Sequence, residues 1–405
     1  MAPFDRLLIT RETLIGITFL LSTSVNASSL HDIVENVWKQ QPEALSQALR
    51  SSEFDARQQA SQSWVPAPPS ISLAHQTDRV FKDTGNQAWE TELAIPLWLP
   101  GQKESRQQTL DSEQTAFSRQ IIATKLKVAG LVRESYWQAR LAENDLSLAR
   151  KKHEAIVRLT ADVRKRVETG ALSQTDLSRT RSMEQQANIE LTRVQSAYDR
   201  ANFQFQALTN QAITQIDEEA ITPENKDRLE QHPYWLAAQA MAEKARRNLK
   251  EVTVDTRDSP ELSLTLGQSK DRSGEPFSKD IGVKFTLPFS TDNRNRPKEL
   301  AASAGLTEAA VSRDLLFRQL QAELASSRSE LQQATEAEQF AISSYKENQQ
   351  IQSWLNKAFQ AGQLDLPAFL NAENDRFDAE LALYRARLEK SRAIARYNQA
   401  IGVLP

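Results

Sequence analysis

The chain has no cysteine, and its 405 residues include only 11 glycines, four histidines and three methionines. Without cysteine there is no disulfide, no thiolate metal ligand, no cysteine nucleophile and no lipid-bearing N-terminal cysteine after export. So few methionines, with no cysteine, also exclude a soft-metal relay. His31, His75, His153 and His232 are far apart, and none has a second histidine at zinc spacing. The phosphate loop, the dinucleotide fingerprint and the nucleophile elbow are missing too, so the residues read as neither an enzyme nor a cofactor protein. An excess of one charge is likewise lacking: 50 Lys and Arg face 53 Asp and Glu, a net charge of −3. That balance excludes nucleic-acid binding through a basic face. After the N-terminus there is no run of about 18 apolar residues, so no spanning helix is expected.

The N-terminus differs from the rest. Arg6 and Arg11 flank a short n-region, Leu14 to Leu21 form an apolar core, and Ser24-Val25-Asn26-Ala27 offers small residues before Ser28. Residues 1–27 therefore read as a signal peptide, which implies export.

The remainder reads twice. Pro42 matches Pro233, Pro69 matches Pro260, Pro96 matches Pro288, Gly170 matches Gly362 and Leu208 matches Ile401, at offsets of 191, 191, 192, 192 and 193 residues. A nearly constant offset carried by proline and glycine implies two homologous halves, 28–221 and 222–405. Each half is expected to hold a short helix, two strands, a very long helix, a glycine turn and another long helix. The first half places these at about 30–63, 69–78, 87–99, 107–169 and 173–211, and the second at about 223–256, 260–269, 279–290, 298–361 and 365–403.

The strands alternate with period two. Ile71 and Leu73 mark the first; Trp89, Leu93, Ile95, Leu97 and Leu99 share one face of the second, with Glu90 and Glu92 opposite. Leu262, Leu264 and Leu266 mark the third, and Ile281, Val283, Phe285, Leu287 and Phe289 the fourth, where Lys284 and Thr286 point the other way. Alternation of this kind fits either a half-buried soluble sheet or a membrane barrel strand. Four strands cannot close a barrel, so the membrane alternative demands several chains.

No proline lies between Pro100 and Pro223, nor between Pro297 and Pro367. A helix over 107–169 would extend about 95 Å at about 1.5 Å per residue, too long for a compact domain. Its partner carries a narrow stripe of Ala187, Val194, Ala201 and Leu208 interleaved with Glu184, Leu191, Tyr198 and Phe205. The last helix repeats the habit with Phe377, Leu381, Tyr384, Leu388, Ser391 and Ala395. Such stripes suit antiparallel helix pairs.

The helical turns are the sharpest local motifs. Gly170 ends one helix and Ser173-Gln174-Thr175-Asp176 reads as a capping box; Gly362 ends another, with Asp365 as N-cap and Pro367 in the first turn. Capping alone accounts for these identities. The basic run Arg164-Lys165-Arg166 suits a helix C-terminus.

This order resembles the TolC-like outer-membrane efflux protein family over residues 28–405. The resemblance is carried most specifically by Ala94-Ile95-Pro96-Leu97-Trp98-Leu99-Pro100-Gly101-Gln102-Lys103, by Val167-Glu168-Thr169-Gly170-Ala171-Leu172-Ser173-Gln174-Thr175-Asp176-Leu177 and by Phe359-Gln360-Ala361-Gly362. It also touches the heavy-metal, RND-associated CzcC-like branch. The resemblance implies a mainly α fold with a small β part: duplicated antiparallel helical hairpins form an α-barrel tunnel, and four transmembrane strands per chain form a twelve-stranded β-barrel as a homotrimer. It implies an outer-membrane exit duct of a tripartite efflux pump in a Gram-negative bacterium, with a periplasmic extension. Its partners would be a membrane-fusion adaptor and an inner-membrane pump of RND or ABC type, with outer-membrane lipid around the barrel. The adaptor would dock at the tip formed by Gly170, Ala171, Leu172, Ser173, Gly362, Gln363 and Leu364. No cofactor or catalytic residue is implied.

The candidate gate is Asp176, Phe359, Asp365, Asn371 and Glu373. Founding members join an Asp at the position of Asp176 to a Tyr and an Arg at the positions of Phe359 and Leu364, so that polar latch cannot form here, and a loosely closed tip is expected. Their acidic rings fall at Ala368 and Asn371; Asp365, Glu373 and Asp375 are nearby carboxylates that either replace them or serve as a cap and a solvated face. A type I protein-secretion duct and a soluble periplasmic coiled-coil scaffold or adaptor are the alternative functions.

Overall fold

The computed structural model describes residues 29–80, 84–223, 228–255, 257–289 and 292–405. The segment read as a signal peptide lies outside them. The first helix, α1 (Leu30–Lys39), opens on a capping box between Ser29 and Asp32 and buries Leu30, Ile33, Val34, Val37 and Trp38 along one stripe. A second helix, α2 (Pro42–Ser61), follows at once. A single short helix was expected over 30–63, but proline divides it. Pro42 has no N–H to continue the ladder and forces Gln41 into the extended region (φ −72°, ψ 142°), so one helix stops and another starts with proline at its first position.

Two strands, β1 (Ser70–Thr77) and β2 (Gln87–Pro96), lead into α3 (Gln102–Glu168), whose 67 residues extend about 100 Å at about 1.5 Å per residue. After α4 (Gln174–Thr209) an irregular segment reaches a 3₁₀ turn, Leu229–Gln231, and α5 (Pro233–Val254). Among the described residues the second half thus has only this turn where the first has α1. Strands β3 (Glu261–Lys270) and β4 (Ser278–Thr286) precede α6 (Asp292–Gln360) and α7 (Leu366–Ala400). Helix α6 starts before Pro297 rather than after it, so that proline lies inside the helix. Near the N-terminus the lost hydrogen bond is tolerated more easily than in mid-helix.

The strands form one antiparallel sheet in the order β1-β2-β3-β4. Its register places Ile71 opposite Leu93, Leu93 opposite Leu264 and Leu264 opposite Val283, so successive rows carry apolar groups to the same face. That face is bare: Ile71, Ile281 and Val283 are each about three-quarters exposed (76%, 75% and 74%). On the other face Lys284 pairs with Glu92 at 2.6 Å. Both outer strands, β1 and β4, have a partner on one side only. At one end of the sheet His75 stacks on Trp89 with ring centroids 4.0 Å apart, and beyond it the two connecting loops meet through a Ser273 N–H donated to the Thr84 carbonyl at 3.1 Å. Gly85 makes that approach possible, since it has φ +91° and a Cβ there would lie 2.4 Å from the Ser273 nitrogen.

The long helices pack as α3 on α4, α5 and α7, and α6 on α5 and α7. Their largest apolar cluster is partway along, where Ile33, Val34 and Val37 of α1 meet Val132 and Tyr136 of α3 and Phe205 of α4. The residues expected on the stripes of α4 and α7 are partly there: Val194, Phe205, Phe377 and Ala395 are buried, whereas Tyr384 is exposed.

Candidate functional site

The two glycine turns are built alike. At the first, Gly170 has φ +77°, its N–H donates to the Val167 carbonyl at 3.0 Å, and the Ala171 N–H donates to the Arg166 carbonyl at 2.8 Å. At the second, Gly362 has φ +72°, its N–H donates to the Phe359 carbonyl at 3.1 Å, and the Gln363 N–H donates to the Ala358 carbonyl at 2.9 Å. Each is a Schellman closure, which needs a left-handed residue at the glycine. Ser173 then caps α4 by accepting from the Asp176 N–H at 3.1 Å, and Asp365 caps α7 by accepting from the Ala368 N–H at 3.3 Å.

Both turns belong to one tip. Val163 and Leu177 of the α3/α4 hairpin and Phe359, Leu366, Phe369 and Leu370 of the α6/α7 hairpin form a common buried cluster, flanked by Leu172 and Leu364. Phe359 stacks flat on Phe369, with centroids 4.6 Å apart and planes 8° from parallel. The Arg166 guanidinium, paired with Asp162 at 2.9 Å, sits 4.9 Å from the Phe359 ring centroid. Phe359 and Leu364, which stand where the polar latch would need a tyrosine and an arginine, thus both belong to this apolar cluster, Phe359 within it and Leu364 at its edge. Asp176 takes no part in it: its carboxylate accepts from the Ser173 N–H at 3.1 Å and from the Ser173 hydroxyl at 2.7 Å, within its own capping box.

The other candidates divide by exposure. Gly170, Ala171, Ser173, Gly362, Gln363 and Asp365 are exposed at the tip, and so is Asn371 one turn inside. Glu373 is held by Arg376 of its own helix at 3.2 Å and by the Gln352 amide, while Arg376 also binds Glu380 at 3.0 Å and stacks on Phe377. Its charge is thus compensated locally. Of the basic run, Arg164 and Lys165 are exposed and Arg166 lies over Phe359.

A polar knot partway along the helices had no signature in the sequence. Arg133 of α3, only 3% exposed, donates to both Glu219 oxygens at 3.0 and 2.6 Å, to Gln399 Oε1 at 2.7 Å and to the Val403 carbonyl at 3.0 Å. Gln399 in turn donates to the Leu126 carbonyl at 2.9 Å. Gly130 leaves the room, since a Cβ there would lie 2.9 Å from Gln399 Nε2.

His232 sits beside this knot, 1% exposed, and its Nδ1 caps α5 by accepting from the Tyr234 N–H at 3.1 Å. Burial pushes its imidazole down from 6.5 to about 4. A group whose native pKa lies below its unfolded value stabilises the fold fully above the unfolded pKa and loses that contribution as pH falls through the native one. Stability is therefore expected to drop between about pH 6.5 and pH 4, by at most about 3 kcal/mol from this residue. His232→Asn keeps a capping oxygen and removes the titration. Thermal unfolding at several pH values should show a shallower acid slope for the variant; parallel slopes would mean that His232 is not held neutral.

No protein-family model matches the chain, and no curated protein does. Solved structures do. The chain is similar to the outer membrane protein VceC of Vibrio cholerae at 15% identity and a TM-score of 0.73, with 92% of this chain and 96% of that one covered. It is similar to the CmeC outer membrane channel of Campylobacter jejuni at 15% identity and a TM-score of 0.74, over 92% and 85% of the two chains. It also matches the open state of the MtrE outer membrane channel of Neisseria gonorrhoeae at 14% identity and a TM-score of 0.72, over 93% and 89%. At these identities the likeness is one of fold, and the fold is the mainly helical one that the sequence resemblance implies.

Proposed function

We propose that the chain is the outer-membrane exit duct of a tripartite efflux pump, a passive homotrimeric channel rather than an enzyme. The observation that carries this reading is the four-stranded sheet with one bare apolar face and two unpaired edges, mounted on helices about 100 Å long. An exposed apolar face of this extent needs a nonaqueous or protein neighbour. Three copies joined edge to edge would give twelve strands, enough for a barrel with lipid outside and the Glu92 and Lys284 face inside. The shared fold with outer membrane channels supports the same reading.

In this arrangement residues 1–27 direct export, and 28–221 and 222–405 act as two structural repeats. The helices form the periplasmic tunnel. The exposed residues Gly170, Ala171, Ser173, Gly362 and Gln363 meet a membrane-fusion adaptor, behind which an inner-membrane pump supplies the energy. The gate is the apolar cluster around Phe359, with Asp176, Asp365, Asn371 and Glu373 around it. Small molecules or metal ions are the cargo. A protein-secretion duct would use the same channel with a different inner-membrane partner.

Expression of the full chain in a Gram-negative host, separation of the membranes and mass measurement of the detergent-extracted protein test the proposal. A trimer in the outer-membrane fraction is expected. A monomer or dimer released with the periplasmic contents would overturn it in favour of a soluble scaffold.

A further inference from the structure

Directly beneath the sheet, where the strands hand over to the helices, lie two adjoining clefts of about 430 and 230 Å³ that share Pro66 and Arg106. The larger is walled by Trp98, whose indole is fixed by donating to the Ser63 carbonyl at 3.1 Å. Its charges are unevenly satisfied. Glu113 is compensated by Arg57 at 2.9 Å and Lys244 at 3.5 Å. Arg106 and Glu251, which line the same cleft, have no ion-pair partner among the described residues; nor do Arg257 and Lys298 of the smaller cleft. A lone guanidinium and a lone carboxylate facing one cavity present both signs to a single guest. The larger volume is that of a small-molecule site.

The level of the clefts narrows the guest. Pro66, Trp98 and Ser259 come from the segments that flank the strands, and Arg106 and Glu251 from the adjoining ends of α3 and α5. The bare apolar rows of the sheet end just above, at Ile95, Leu262 and Phe285. In a chain whose sheet sits in lipid, a reading taken from the proposed function, that is the depth of the head groups, where tryptophan and basic side chains gather.

We propose that the larger cleft binds a zwitterionic head group, with a phosphodiester on Arg106 and an ammonium on Glu251, and that the guest is phosphatidylethanolamine of the surrounding leaflet. Guanidinium binds phosphate oxygens through paired N–H donors. The soluble compound glycerophosphoethanolamine shares the head-group chemistry, so the test separates the two sources.

The trimer is purified from outer membranes in mild detergent and its bound lipid measured by mass spectrometry. Delipidated protein in mild detergent is then given phosphatidylethanolamine or phosphatidylglycerol. About one retained phosphatidylethanolamine per chain is expected. Arg106→Gln and Glu251→Gln should each lower its retention about tenfold, while Glu251→Gln leaves phosphatidylglycerol unaffected and Arg106→Lys keeps most binding. Retention in both glutamine variants equal to that of the unaltered protein, or a preference for phosphatidylglycerol in the unaltered protein, would overturn the proposal. So would binding of glycerophosphoethanolamine with no lipid retained, which would assign the cleft to a soluble ligand. A trimer in the outer membrane that lacks the lipid sinks this inference alone; protein absent from the outer membrane sinks the functional reading first.

Discussion

If the chain forms the proposed channel, Phe359→Ala is expected to open it. The ring is buried between the two hairpins, stacked on Phe369 and covered by Arg166, and it is one of the four buried residues that the α6/α7 hairpin gives to the tip cluster. Truncating a buried phenylalanine costs about 3 to 5 kcal/mol, and each 1.4 kcal/mol is about a factor of ten in an equilibrium. If the tip is the gate, its open population should rise at least a hundredfold, by about that arithmetic. Single-channel conductance in a planar bilayer measures this directly, and host cells should become sensitive to large hydrophilic antibiotics. Asp176→Ala is the matched control: it removes the carboxylate half of a capping box, whose hydrogen bonds run to Ser173 of the same turn, and leaves the Ser173 cap on the backbone N–H in place. Its conductance should stay close to that of the unaltered channel. A silent Phe359→Ala channel would show that closure is held elsewhere. An apolar closure also predicts little salt dependence of the closed state, because screening weakens ion pairs between exposed charges and leaves buried ring contacts alone.

The same residue marks the limit of what the sequence discloses. The absence of a tyrosine and an arginine from the latch positions is plain in the chain, and it suggests a loose tip. That Phe359 instead meets Val163 and Leu177 depends on how two hairpins nearly two hundred residues apart are set against each other, which no local pattern records. By contrast, the glycine turns were legible down to the capping partners, because a left-handed glycine followed by Ser-x-x-Asp is a purely local device. Strand alternation was legible as well, but not the medium it faces; period two is the same against lipid and against a protein core. The division of the first helix at Pro42 was in the sequence too. The apolar spacing of α1 hides it, since the stripe from Leu30 to Trp38 ends just where the proline acts.

Arg133 has no such local signal, lying in a stretch of α3 whose other charges are mostly half-buried, yet the second large effect is expected there. Its guanidinium joins α3 to the irregular segment at Glu219 and to the end of α7 at Gln399 and Val403. Beside it, Asn398 ties the same segment by donating to the Ala220 carbonyl at 3.0 Å and accepting from the Thr222 N–H at 3.1 Å. Arg133→Met should cost about 3 to 5 kcal/mol, because Glu219 would keep its charge in a nearly closed site without a partner. Replacing both members, as Arg133→Met with Glu219→Leu, removes the stranded charge and should recover a substantial part of that loss. The Gln399 and Val403 acceptors remain unpaired in the double variant, so recovery should be incomplete. Denaturant or thermal unfolding of the purified protein, arranged as a double-mutant cycle, reads the coupling. Strict additivity of the two single changes would mean that the pair is not coupled and that the knot is held by its neighbours. A strong coupling would identify Arg133 as a residue that fixes the non-helical segment against α3.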